Sequence, residues 1–190
     1  IEGGVLAVRK TLKAAIDWKG RKNLAAGRGE IGTEILHFKS AFHGRSGYTM
    51  SLTNTDPIKV DLFAKFNWPR VSTPDIDFAI TDENERTADV IAREKKSEAE
   101  IMKFVREKGV EIAAIIIEPI QGEGGDNHFR GEWLHTLRRI CDENEMLLLF
   151  DEVQCGMCAT GKNWGCEHFG VMPDIMAFGK QAKVGGVMAG

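Results

Sequence analysis

Apolar residues recur at helical spacing through VLAVRKTLKAAIDWK, residues 5–19, directly after the pair Gly3-Gly4, which predicts a helix with a glycine-rich N-terminus. EILHF, residues 34–38, reads as a short strand running into AFHGRSGYT, and SGYTMSLTN reads as the start of another helix. From Thr55 to Asp82 the periodicity dissolves around Pro57, Pro69 and Pro74, which predicts a long loop of the kind that carries function or covers a surface. Residues 82–109 are rich in Glu, Lys and Arg with sparse apolar positions, and predict an exposed helix or helix pair with a solvated face. Then follow VEIAAIIIEP, a buried strand ending in acid and proline; the glycine-rich loop QGEGGDNHF; a helix from about Gly131 to Asn144; the strand LLLF; and another short strand in MPDIMAFGK. Apolar runs of this length fit strands covered on both faces. Strand, helix, strand in that order predicts an α/β fold with a mainly parallel sheet, right-handed crossovers and helices on both faces.

Composition narrows the class without naming a function. With 190 residues, 43% hydrophobic and 28% charged, the chain can bury a sizeable core as one domain or two small ones. A net charge of -3 offers no general attraction to nucleic acid or to an anionic membrane. No apolar stretch approaches the roughly 20 residues of a transmembrane helix, and IEGGVLAVRK lacks a signal peptide's order, so a cytoplasmic protein is expected. Four cysteines fit a reducing compartment better than a disulfide framework. The chain has no initiator Met and ends on GGVMAG with no closing helix, which suggests a piece of a larger protein.

Chemistry concentrates where strands should end. Asp151 and Glu152 directly follow an apolar strand, at the level where open α/β sheets bind ligands. A carboxylate buried there needs a cation or must become neutral, so Asp151 predicts a positive partner. Lys180 follows the strand IMAFG, where a lysine must be paired or lowered in pKa, conditions that favour a nucleophile toward carbonyls. An acid that keeps a heterocyclic nitrogen protonated, with a Schiff-base lysine, is the arrangement pyridoxal phosphate requires, so the cation expected beside Asp151 is that ring nitrogen. Gly3-Gly4 is the phosphate candidate, because it opens a helix with free N–H groups. GRGEIG, with Gly27, Gly29 and Gly32, matches a dinucleotide fingerprint but lies between a helix and a strand, the reverse of the required context, and reads as a loop. His43 and Arg45 read as a surface pair beside Phe42, whose ring could stack on a heterocycle. Glu118 and Glu123 bracket PIQG and could serve acid/base work or bind cations. Cys155, Cys158, Cys166 and His168 have poor zinc spacing and no following helix for a redox pair, so they read as loop cysteines, with no metal expected.

GGVLAVRKTLKAA, AFHGRSGYTMSLTNT, EPIQGEGGDNHFR, CDENEMLLLFDEVQ and PDIMAFGKQAKVGGVMAG together give the chain a resemblance to the class III (ω-amino acid) aminotransferases of fold type I, those acting on the ε-amine of lysine above all. The resemblance spans essentially all 190 residues and implies a partial cofactor-binding large domain of the aspartate aminotransferase-like fold. It implies pyridoxal 5'-phosphate as cofactor, with Lys180 rather than Lys183 as the Schiff-base lysine. Asp151 would pair with the pyridine nitrogen, Gln154 approach the phenolic oxygen, Phe42 stack on the ring, and the Gly4-Val5 backbone hold the phosphate. Arg45 looks like the arginine that receives a substrate carboxylate, and Glu123 like the glutamate gate that moves when the second substrate arrives. Glu118 would support the site or simply end its strand.

The implied reaction is a ping-pong transfer of the ε-amino group of L-lysine to 2-oxoglutarate, giving the lysine semialdehyde and glutamate, in a homodimer. The expected partners are therefore small amino and 2-oxo acids. Two departures stand out: Arg9 replaces an acid that many members carry in the first helix, and two cysteines fall in the DEVQ loop. The family's N-terminal segment, the rest of its large domain, its small domain and a masked arginine have no counterpart here, so little activity is expected of the 190 residues alone. Two readings remain open: an enzyme segment, with ornithine, acetylornithine or 4-aminobutyrate as rival donors, and a non-catalytic piece that keeps the fold.

Overall fold

The computed structural model describes residues 3–190. Along the chain come α1 (Gly4–Ala25), β1 (Glu34–Phe38), β2 (Arg70–Val71), α2 (Glu83–Lys108), β3 (Ile112–Ile117), the two-residue strands β4 (Ile120–Gln121) and β5 (Asn127–His128), α3 (Gly131–Glu143), β6 (Leu147–Glu152), β7 (Ile175–Phe178) and β8 (Gly186–Ala189). Six strands form one sheet in the order β2-β1-β3-β6-β7-β8. Every neighbouring pair is parallel except β7 and β8. The expected mainly parallel α/β sheet is therefore present, with an antiparallel edge strand formed by the glycine-rich run at its end.

The apolar runs lie centrally because both their faces are covered. All six residues of β3 are buried. From Ala114 to Ile117 its side chains alternate between two cores, as a period of two requires, after a register shift that leaves Ala113 and Ala114 on one face. Ile115 and Ile117 join Leu148, Phe150, Trp133 and Leu137 on the α3 face. Ala114 and Ile116 join Leu149, Ala7 and Leu12 on the α1 face.

The helices differ from expectation in length more than in place. α1 continues past residue 19 because its polar extension is anchored: buried Lys19 donates from Nζ to the Glu145 carbonyl at 2.7 Å, and Asn23 Nδ2 donates to the carbonyls of Ile31 and Val110 at 2.9 Å. Residues 82–109 give one helix, not two. Its N-cap Asp82 accepts from Glu85 N–H at 2.8 Å, and acidic residues in the first turn with Arg106 and Lys108 in the last complement the dipole. SGYTMSLTN forms a short 3-10 turn, Gly47–Ser51, instead of an α-helix. The long loop from Thr55 to Asp82 holds β2, whose Arg70 and Val71 pair with His37 and Phe38. The loop QGEGGDNHF closes into a small hairpin, Ile120 opposite His128. GRGEIG is a loop, as expected, with Gly27, Gly29 and Gly32 all at positive φ. Among the described residues, no helix is long and apolar enough to cross a membrane.

Candidate active site at the carboxyl ends of the strands

Because β1, β3, β6 and β7 run parallel, the segments leaving them share one edge of the sheet. The chain leaving β1 carries Phe42, His43 and Arg45; that leaving β3 carries Glu118; β6 ends with Asp151 and Glu152 and is followed by Gln154; and Lys180 follows β7. The first turn of α1 comes to the same edge. A cavity of about 380 Å³ lies there, and its wall includes Gly4, Val5, Phe42, Arg45, Glu118, Asp151, Gln154 and Lys180. Seven of the eight sequence-predicted site residues line it; Glu123 does not.

His43 corrects the sequence reading. Instead of lying on the surface with Arg45, its side chain is fully buried and its Nδ1 lies 2.7 Å from Asp151 Oδ2. The chain itself thus supplies a hydrogen-bonding partner for Asp151, a cation when its imidazole is protonated. The turn is fixed by Thr53, whose Oγ1 accepts from His43 N–H at 2.9 Å and donates to the Gly44 carbonyl at 2.7 Å. Gly44, at φ +116°, is required: a Cβ there would sit 2.4 Å from Val5 Cγ2. The sequence signal that could have found His43 was Asp151's need for a cation, but β1 and β6 are not neighbours, and only the sheet order shows that His43 can reach across.

Burial opposes a charge on His43, yet its hydrogen bond and ion pairing with Asp151, together with Glu118, raise its pKa above the usual value. Glu118 is buried too and accepts the Phe42 N–H at 2.9 Å. Burial pushes its pKa up to about 7, with Asp151 adding to the rise and His43 opposing it. Asp151 Oδ1 accepts the Val153 N–H at 3.1 Å.

Lys180 meets the condition set for a strand-end lysine by being exposed and paired: its Nζ donates to Gln154 Oε1 at 2.7 Å. Its backbone is at φ 44°, the left-handed region that costs a residue with a Cβ. Gly122 lies against Gln154, where a Cβ would come 2.1 Å from Nε2, so the loop carrying Glu123 rests on Lys180's partner. Glu123 itself is hydrogen-bonded to Lys59, in the long loop from Thr55 to Asp82.

The second acid of the pair faces elsewhere. Successive strand residues point to opposite sides, and Glu152 accepts the N–H groups of Gly165 at 2.8 Å and Cys166 at 2.7 Å, with Cys155 Sγ at 3.2 Å. The cysteines are free, Cys155 and Cys166 buried and Cys158 exposed. Burial and Glu152 push the Cys166 thiol up to about 12 and Cys155 higher still. No group of three or more potential metal ligands occurs among the described residues.

The cavity fits a flat, phosphorylated heterocycle. His43 Nε2 is buried without a protein hydrogen bond. The helix N-terminus at Gly4 is closely approached, since a Cβ on Gly4 would lie 2.5 Å from Val153 Cγ1 and one on Gly179 would lie 3.2 Å from Gly4 Cα. Open N–H groups there suit a phosphate, Asp151 suits a ring cation, Phe42 offers a flat wall, and Lys180 an amine.

The L-lysine-epsilon aminotransferase of Mycobacterium tuberculosis is 48% identical over all of this chain, and that of Streptomyces clavuligerus 46%. The chain spans 41% of the length of each of these relatives. A 4-aminobutyrate aminotransferase of Emericella nidulans is 37% identical over 82% of the chain, which covers 31% of it. A solved lysine aminotransferase structure from M. tuberculosis superimposes with a TM-score of 0.94, over all of this chain and 43% of that one. The family model described as aminotransferase class-III matches residues 1–190, and the chain belongs to that family.

Proposed function

We propose that this chain forms the cofactor-binding part of a pyridoxal phosphate-dependent aminotransferase that moves the ε-amino group of L-lysine to 2-oxoglutarate. The observation that carries the proposal is the convergence of Asp151, Lys180, Phe42 and the α1 N-terminus on one cavity. The lysine donor is favoured over 4-aminobutyrate by the higher identity, over the whole chain, to the lysine enzymes.

When bound, the cofactor supplies an electron sink that acidifies the carbon bearing the substrate's amine. Lys180 would anchor it and carry the proton of that carbon on Nζ. Gln154, already accepting from Lys180, would orient that amine and serve the cofactor's phenolic oxygen. Asp151 would hold the ring nitrogen charged, with His43 fixing the rotamer of Asp151. Phe42 would stack on the ring, and the backbone N–H groups at Gly4 and Val5 would hold the phosphate. Arg45, on the cavity wall, binds a substrate carboxylate, and Glu123 acts as the gate between the amine donor and the dicarboxylate acceptor. The exposed Ile58, Leu62 and Phe63 suit a face covered in a homodimer.

The test is an absorbance spectrum of the chain after incubation with pyridoxal phosphate and desalting, followed by a donor screen of a full-length parent with 2-oxoglutarate. A retained visible band that Lys180→Ala abolishes, with lysine preferred over ornithine and 4-aminobutyrate, is the expected result. A band equal in both proteins would remove Lys180 from its role.

A further inference from the structure

Three titratable side chains on the cavity wall are buried: Glu118 just after β3, Asp151 in β6 and His43 in the turn after β1. The other charged groups on that wall, Arg45 and Lys180, are exposed to solvent. Asp151 is already engaged on both oxygens. Its Oδ2 lies 2.7 Å from His43 Nδ1, and its Oδ1 accepts the Val153 N–H at 3.1 Å. With His43 protonated, Asp151 balances one cation, and a pyridine ring held charged beside it adds a second. Two buried cations sharing one carboxylate leave a charge unbalanced, which a site withdrawn from water penalises. Glu118 stands where a second anion is needed. It is 4% exposed, lines the same cavity and feels the charges of both His43 and Asp151. The backbone has prepared its ionised form, since the Phe42 N–H donates to Oε1 at 2.9 Å and Gly122 adds a second backbone hydrogen bond. Burial and the neighbouring Asp151 nevertheless push its pKa up to about 7. A cation arriving beside Asp151 works with His43 and the two N–H groups to bring that value down again.

We propose that Glu118 gives up its proton to solvent when the cationic ring of the cofactor enters the cavity, and that the carboxylate so formed lets His43 and the ring nitrogen both stay protonated around Asp151. This rests on the aminotransferase reading and deepens it, because it assigns a role in holding the ring charged to a residue outside the pair Asp151 and Lys180. The balance is simple: the O–H bond of Glu118 breaks, the proton goes to water or buffer, and no electrons move between groups. Glu118 acts through His43 and Asp151, so it is a positioning residue whose contribution is charge.

Difference infrared spectroscopy at pH 6 follows that proton directly. One unit below its pKa, about nine-tenths of Glu118 carries it in the unloaded chain. The probe is pyridoxine 5'-phosphate, which has the ring nitrogen and the phosphate but no aldehyde to react with Lys180. Its control is the 1-deaza analogue, in which a C–H replaces the ring nitrogen. Loading with pyridoxine phosphate should remove the carbonyl stretch of a protonated carboxyl; Glu118→Gln should show no such loss, and the deaza analogue should leave the band in place. The deaza comparison uses the parent alone, so it decides even where the Gln variant folds poorly. Calorimetry in buffers of different ionisation enthalpy gives an independent count, with the pyridine compound expected to release more than about half a proton beyond its deaza counterpart. A merely structural role for Glu118, fixing the Phe42 turn, leaves the band unchanged with both compounds. A band that survives while protons are released assigns the release to His43 and overturns the proposal, as does a band lost equally with the deaza analogue. Failure of the underlying reading has a different signature: neither compound gives a binding heat and pyridoxal phosphate leaves no visible band after desalting, and the proposal then falls with it.

Discussion

Replacing Glu118 by Gln should make the protein less sensitive to rising pH. The carboxyl sits among Asp151, His43 and the backbone of Phe42 and is almost wholly buried. A rise from 4.5 to about 7 means that the folded state keeps a proton which the unfolded chain has released. Stability is then lost as pH climbs from about 4.5 to about 7, and above that the full difference applies, about 3 kcal/mol. His43 acts in the same direction. Its pKa is raised on folding, so its contribution is complete below the ordinary value of 6.5 and disappears as pH passes through the folded value. Gln keeps a carbonyl for the Phe42 N–H and cannot ionise. Urea unfolding at pH 5 and pH 8 should therefore show the parent losing more stability than Glu118→Gln on going to pH 8. In thermal scans of a chain this size, about 3 kcal/mol corresponds to roughly 6–12 °C. Equal losses in the two proteins would show that the buried carboxyl gives up its proton without cost, and the electrostatic picture of this edge would be wrong.

Gly124→Ala should cost about 1–3 kcal/mol in chemical denaturation, because the new Cβ would meet the Ser40 carbonyl oxygen at 1.8 Å and backbone has to shift. Glu152→Ala should destabilise by roughly 3 kcal/mol, since it strands the buried N–H groups of Gly165 and Cys166; a loss under 1 kcal/mol would mean water replaces the carboxylate freely. Among the four cysteines, a maleimide should label Cys158 first, while Cys141, Cys155 and Cys166 wait for unfolding; mass spectrometry of the early adducts checks this.

The sheet was legible because its central strands announce themselves: IAAIII and LLLF allow no other covering than helices on both faces. The position of the site followed, since Asp151 and Lys180 come directly after such strands. What escaped depended on contacts distant in sequence. β2 is two residues long and exists only because β1 offers it an edge, so no local pattern marks it. His43 looked exposed because its neighbours are glycine, arginine and serine, yet Asp151, 108 residues away, draws it inward. Lys59 was invisible for the same reason, its partner being 64 residues on. Even the 3-10 turn after His43 reflects tertiary demand, with Thr53 bonding back to the His43 and Gly44 backbone.

The left-handed backbone at Lys180 sets the needs of the chain against those of the cavity. At φ 44° a glycine, or an asparagine, would rest more comfortably than lysine. On the proposed reading, the amine is what favours a lysine there. Lineages that keep this fold but abandon the chemistry are thus under no structural pressure to retain it, and should drift toward glycine or asparagine at this position before the surrounding strands change. If the proposed role of Lys180 holds, a loss of lysine here, with Asp151 and the apolar runs intact, would mark a descendant that has exchanged that chemistry for another use of the same scaffold.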